Sequence, residues 1–81
     1  MSEIVPFPAT HRAGFIRNVA RVLATYSADG AERTLQARLD ATRAAMLRKG
    51  IRPEIAGREV RSLELAIRAK LWTIVQGDDA A

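Results

Sequence analysis

The stretch LRKGIRPE, residues 47–54, constrains this chain more than any other, because it stops one helix and starts the next within a few residues. Gly50 suits the left-handed position just past a helix end. Ile51, after it, is placed to contact Met46 as in a Schellman cap. Pro53 suits the first helical position, where no backbone N–H is needed, and Glu54 favours the positive end of the helix it opens. So short a link predicts that helix 2 (about 30–49) and helix 3 (about 53–76) are antiparallel neighbours.

Upstream, Asp29 followed by Glu32 resembles a capping box with Asp in place of Ser or Thr. In helix 2 the residues Leu35, Leu39, Thr42 and Met46 form a narrow seam with the spacing of coiled-coil packing. Ala37, Ala41, Ala44 and Ala45 add helix propensity and permit close approach of another helix. Helix 1 is expected over 10–26, from Thr10 as N-cap to Tyr26. Its core stripe is Phe15, Val19, Val22 and Tyr26, with Ile16 and Leu23 beside it and Arg17 and Arg21 on the other side. Residues 1–9 are expected to be an extended arm, since Pro6 and Pro8 bias the chain away from helix. Ile4, Val5 and Phe7 are too apolar for ordinary solvated tail, so the arm either covers the helices or docks on a partner. Gly77 stops helix 3 and leaves 77–81 as a short acidic tail. The expected fold is therefore all-α: one three-helix domain, 10–76, with an antiparallel helix 2–helix 3 hairpin and an extended N-terminal arm.

Helix 3 carries an excess of apolar surface. Val60, Leu63, Ile67, Leu71 and Ile74 lie within an arc of about 80° and form the obvious core face. Leu65, Ala69 and Trp72 lie roughly 160–180° away, flanked by Arg61 and Arg68. Either helix 3 is central, with helix 1 or the arm covering Leu65 and Trp72, or these residues are exposed and seat a second copy or another protein. A Trp flanked by Arg is a common interface anchor. Leu65, Ala69, Trp72 and Phe7 are thus the candidate interface residues.

Charge offers the competing reading. The formal net charge is +4, and residues 10–53 hold nine bases against three acids. Arg43, Arg48, Lys49 and Arg52 gather near the helix 2–helix 3 turn, where they could grip phosphates. Two facts temper this. Cations are favoured in the last turn of any helix, and eleven arginines against two lysines fit a GC-rich genome. Arginines 33, 38, 43 and 48 recur every five residues and so wind around helix 2. A helix-turn-helix register places Glu59 where a buried aliphatic belongs. With four aromatics there is no stacking platform for RNA. Contact with nucleic acid is expected to be nonspecific.

At 81 residues the chain is one small domain with a thin stability margin. Without cysteine it has neither disulfides nor a thiolate metal site. No uncharged run approaches a membrane span and no secretory signal opens the chain, so a cytoplasmic setting without membrane contact is expected. The residues for catalysis are missing. His11, the single histidine, has no partner, and Ser2, Ser27 and Ser62 lack a nucleophile context. Glu32, Asp40, Glu54, Glu59 and Glu64 are scattered, and most are spaced for surface ion pairs, such as Glu64–Arg61, Glu64–Arg68 and Asp40–Arg43. No catalytic residue, metal ligand, cofactor or small-molecule substrate is expected.

EIVPFP at the start, LRKGIRPE at the turn and LELAIRAKLW near the end resemble a family of short uncharacterised alphaproteobacterial proteins. That family has an Ile-Pro-Phe-Pro box, an RRKG-hydrophobic turn and a late A-I-R-A-E-L-W segment. Here Val5 is inserted in the box and Lys70 stands where an acid is usual. The resemblance implies a helical fold and a bacterial cytoplasmic setting, and no catalytic activity. The expected function is a non-enzymatic regulatory interaction module, sequestering a bacterial regulator or effector through helix 3, as a dimer or hetero-complex. The alternative is a small basic nucleic-acid-binding accessory protein.

Overall fold

A computed structural model describes residues 9–77, with side chains from residue 12 onward. It contains three helices, α1 (Ala9–Leu23), α2 (Ala28–Arg48) and α3 (Pro53–Gln76), and no strand among the described residues. The apolar arm residues Ile4, Val5 and Phe7, and the tail beyond Gly77, lie outside the described residues.

The α2–α3 junction forms as its residues dictate. Gly50 has a φ of 89°, in the left-handed region. The Gly50 N–H donates to the Leu47 carbonyl at 3.0 Å and the Ile51 N–H to the Met46 carbonyl at 3.1 Å. That pair of bonds is the Schellman arrangement, and Ile51 and Met46 are both buried beneath it. Arg52 is extended and Pro53 takes the first helical position of α3. At its far end α3 stops on Gly77, also at positive φ, whose N–H donates to the Ile74 carbonyl at 3.0 Å.

The first two helices depart from expectation at their ends. α1 begins at Ala9, so Ala9 leaves the arm and Thr10 lies inside the helix instead of capping it. It ends at Leu23, not Tyr26. The Thr25 and Tyr26 N–H groups bond to the carbonyls three residues back, at Val22 and Leu23, which tightens the last turn off the α-helical path. The Thr25 hydroxyl also donates to the Val22 carbonyl, at 2.6 Å. Tyr26 therefore leaves the core stripe, and both Val22 and Tyr26 are exposed, while Val19, Ala20 and Leu23 are buried. The N-cap of α2 is Ser27, whose hydroxyl accepts from the Gly30 N–H at 3.2 Å. Asp29 is not the cap. It sits in the first turn, where its charge still suits the helix dipole, and Glu32 bonds elsewhere.

The core is a single cluster: Val19, Ala20 and Leu23 from α1, Leu35, Leu39 and Met46 from α2, Ala56, Leu63 and Ile67 from α3, and Ile51 from the turn. Phe15, Ile16, Ala31, Val60, Leu71 and Ile74 pack around it. Thr42, in the α2 seam, turns its hydroxyl back to the Arg38 carbonyl at 2.8 Å. Alanines 37, 41 and 44 are exposed, so none of the described helices covers them. α3 packs against both α1 and α2, and these two touch each other less than either touches α3. The Cα trace spans 43 × 25 × 14 Å. α1 and α2 bury Ala56, Leu63 and Ile67 of α3 and leave its Leu65 and Trp72 exposed.

Candidate protein-interaction face

The uncovered side of α3 is where the excess apolar residues stand. Leu65 is 64% exposed and Trp72 65% exposed, and Ala69 between them is also open to solvent. One expectation had helix 3 central, with helix 1 or the arm over Leu65 and Trp72; α3 does contact both α1 and α2, but no described element covers Leu65 or Trp72. Val75 was not anticipated. It is 63% exposed and extends the patch by one turn beyond Trp72. Its spacing of three residues from Trp72 was the available signal, because residues three apart on a helix are surface neighbours.

The flanks of this face are polar on both sides, and two of their contacts tie the helices together. On the α2 side, the Arg68 guanidinium donates to both carboxylate oxygens of Glu32, at 3.1 and 2.8 Å, and to Glu64 at 3.1 and 2.9 Å. Glu32 and Arg68 are 36 residues apart with Gly50 midway, so the pair closes the α2–α3 unit at the end opposite its turn. Arg68 donation holds the Glu32 carboxyl below its ordinary range, and the two carboxylates raise the Arg68 guanidinium further above its own. On the α1 side, Arg12 donates to Glu59 and to Ser62. Of the ion pairs expected from spacing, Glu64–Arg68 forms, whereas Glu64–Arg61 and Asp40–Arg43 do not. Glu64 and Arg68 already satisfy one another, and Arg61 is left facing water.

Toward the start of α3 the same face turns basic. Pro53, Glu54, Gly57, Arg58 and Arg61 line an open depression of about 410 Å³. Neither Arg58 nor Arg61 has an ion-pair partner among the described residues, and both are exposed. The outer surface of α3 therefore reads, from its N-terminal end, as a cationic hollow, then Leu65 and Ala69, then a projecting Trp72 with Val75.

The candidate phosphate-contact residues Arg43, Arg48, Lys49 and Arg52 are all exposed and none forms an ion pair among the described residues. Arg43 and Arg48 are five residues apart on α2, which turns them about 140° from each other. They do not make one stripe. Phe7 lies outside the described residues, and His11 falls within the first turn of α1. Among the described residues there is no cluster of three metal-ligating side chains and no helix long and apolar enough to cross a membrane.

The family described as of unknown function, DUF6074, matches the chain over residues 1–81. The chain belongs to this family. No curated protein and no solved structure matches it.

Proposed function

We propose that this DUF6074 chain is a non-enzymatic regulatory module that binds, and thereby sequesters, a bacterial regulator or effector protein through the outer face of α3. The observation that carries this reading is the patch of Leu65, Trp72 and Val75, each about two-thirds exposed on a helix whose opposite face is already core. Burying a Trp and a Leu side chain is worth roughly 3–6 kcal/mol of apolar transfer. That is comparable with the whole net stability of a small domain, so covering the face is a strong driving force for association. The arginines beside the patch fit the usual anatomy of an interface anchor. The likeness of the EIVPFP, LRKGIRPE and LELAIRAKLW segments to short alphaproteobacterial proteins supports a cytoplasmic bacterial setting.

The test is co-purification from the host with tagged wild type, Leu65→Asp and Trp72→Asp, after nuclease treatment. A stoichiometric protein partner retained by the wild type and lost by both variants, with helical circular dichroism intact, is the expected outcome. Loss of helicity in both variants would place the two residues in the core and end the reading.

A second reading draws on Arg43, Arg48, Lys49 and Arg52, which are exposed and have no ion-pair partner among the described residues. As a nucleic-acid accessory protein the chain would bind phosphates nonspecifically, with affinity falling steeply as salt rises. An Arg48→Ala/Lys49→Ala double variant would then weaken binding to any duplex at low salt. Absence of a mobility shift with wild type at low salt removes this alternative.

A further inference from the structure

Arg58, Leu65 and Trp72 recur at seven-residue intervals, so they lie in one row on the outer face of α3. Leu65 is at the centre of the row, and the two ends differ in shape and charge. Around Arg58 the surface is the hollow of about 410 Å³ that Pro53, Glu54, Gly57 and Arg61 complete. Gly57 contributes no side chain to it, and nothing lies within 4 Å of where a Cβ would sit. At the other end the indole of Trp72 projects into solvent. An open depression bordered by Arg58, Arg61 and Glu54 and an exposed aromatic ring therefore stand on the same face, on either side of Leu65.

We infer that a second copy of this chain covers the face, with α3 against α3 in opposite directions about a two-fold axis at Leu65. This rests on the reading of the outer face as an interface, and it adds that any other partner must displace a second copy. About that axis, Trp72 of each copy lies over Arg58 and the Gly57 hollow of the other, and Arg61 faces Ala69. Both contacts occur twice and close the assembly at two protomers, because hollow and ring are related by the axis itself. A guanidinium over an indole adds cation–π attraction to the burial of the ring.

Charge selects the direction of pairing. In a parallel pair Arg58 and Arg61, which have no ion-pair partner among the described residues, would each face their own copies. In the antiparallel pair the two Arg58 residues are about 21 Å apart along the axis and the two Arg61 residues about 12 Å, at ~1.5 Å per residue. The first separation is roughly twice the Debye length at ordinary ionic strength and the second a little more than one. Arg68, on the rim, is already neutralised by Glu32 and Glu64.

The test begins with the mass of the full chain by light scattering across a concentration series. Mass should rise to that of two protomers, and the emission of Trp72, the single tryptophan, should shift to the blue in step. Gly57→Leu points its side chain into open space, so α3 keeps its helicity. With the hollow filled, the dimer dissociation constant should rise about tenfold or more. The chain has no native cysteine, so introduced ones report the axis cleanly. Under oxidation Leu65→Cys should give a cross-linked dimer and Trp72→Cys should not. The inference is overturned by a single-protomer mass at every concentration, by a dimer indifferent to Gly57→Leu, or by Trp72→Cys cross-linking as readily as Leu65→Cys. A monomer that still captures a protein partner through Leu65 overturns the dimer and leaves the interaction module standing. Loss of helicity in both Leu65→Asp and Trp72→Asp overturns the two together.

Discussion

Arg68 holds two carboxylates at once, and its hold on Glu32 gives the fold a dependence on pH. The Glu32 carboxyl titrates below its ordinary range because Arg68 donates to it in the folded state, and that partner is lost on unfolding. A depressed carboxylate stabilises the fold fully above its unfolded value, about 4.3, and loses that contribution as pH falls through the lower folded value. Urea midpoints of the wild type should therefore decline as pH drops below about 4.3, and Glu32→Gln should flatten that decline. The effect should shrink in high salt, because both side chains are substantially exposed. Gly50 makes a sharper case. Its φ of 89° disfavours any side chain although the space around it is empty, so Gly50→Ala should cost about 1 kcal/mol by denaturant titration. Gly50 was legible in the sequence because a positive φ demands glycine at that place in a Schellman cap. The Glu32–Arg68 contact was not, since its partners are 36 residues apart and no local spacing relates them. Capping failed for the opposite reason: Ser27 and Asp29 are both good caps, and the tight turn at Thr25 and Tyr26 decided between them.

At the level of elements, α3 was legible from end to end, and its start at Pro53 and stop at Gly77 stand where the residues place them. Proline and glycine determine these ends by backbone geometry, independently of tertiary packing. The end of α1 lacks any such residue, and periodicity alone carried the expected stripe past Leu23 to Tyr26. The two faces of α3 allow a direct comparison within one helix. Leu63 is fully buried and Leu65, two residues on, is 64% exposed. Leu63→Ala should cost about 2–5 kcal/mol by chemical denaturation, since it removes buried atoms and leaves a cavity. Leu65→Ala, measured at a concentration where the chain is monomeric, should fall within about 0.5 kcal/mol of wild type. Similar costs at both positions would mean that Leu65 is covered by something within the same chain. The sequence pattern located the second apolar face and its centre, Leu65 to Trp72. Periodicity reports which side of a helix is apolar, not whether a neighbour covers it, and that depended on how α1 and α2 sit around α3.

At the scale of the molecule, the apolar face remains because the described helices leave Leu65, Trp72 and Val75 exposed. Among the described residues α1 and α2 both pack on α3, and neither covers Leu65 or Trp72. A domain of this size has few kilocalories of net stability to lose. Association that binds only the folded state should then raise thermal stability by mass action. If the α3 faces of two copies cover each other, the midpoint of thermal unfolding must climb with protein concentration. Trp72→Asp should abolish that climb while leaving the midpoint at the most dilute concentration near the wild-type value, because the exposed indole contributes little to the fold of one protomer. Scans followed by helical circular dichroism over a wide concentration range would separate the two cases. A wild-type midpoint independent of concentration would mean that no second copy stabilises the fold. A Trp72→Asp midpoint already lowered at high dilution would instead make the indole part of the protomer's own core.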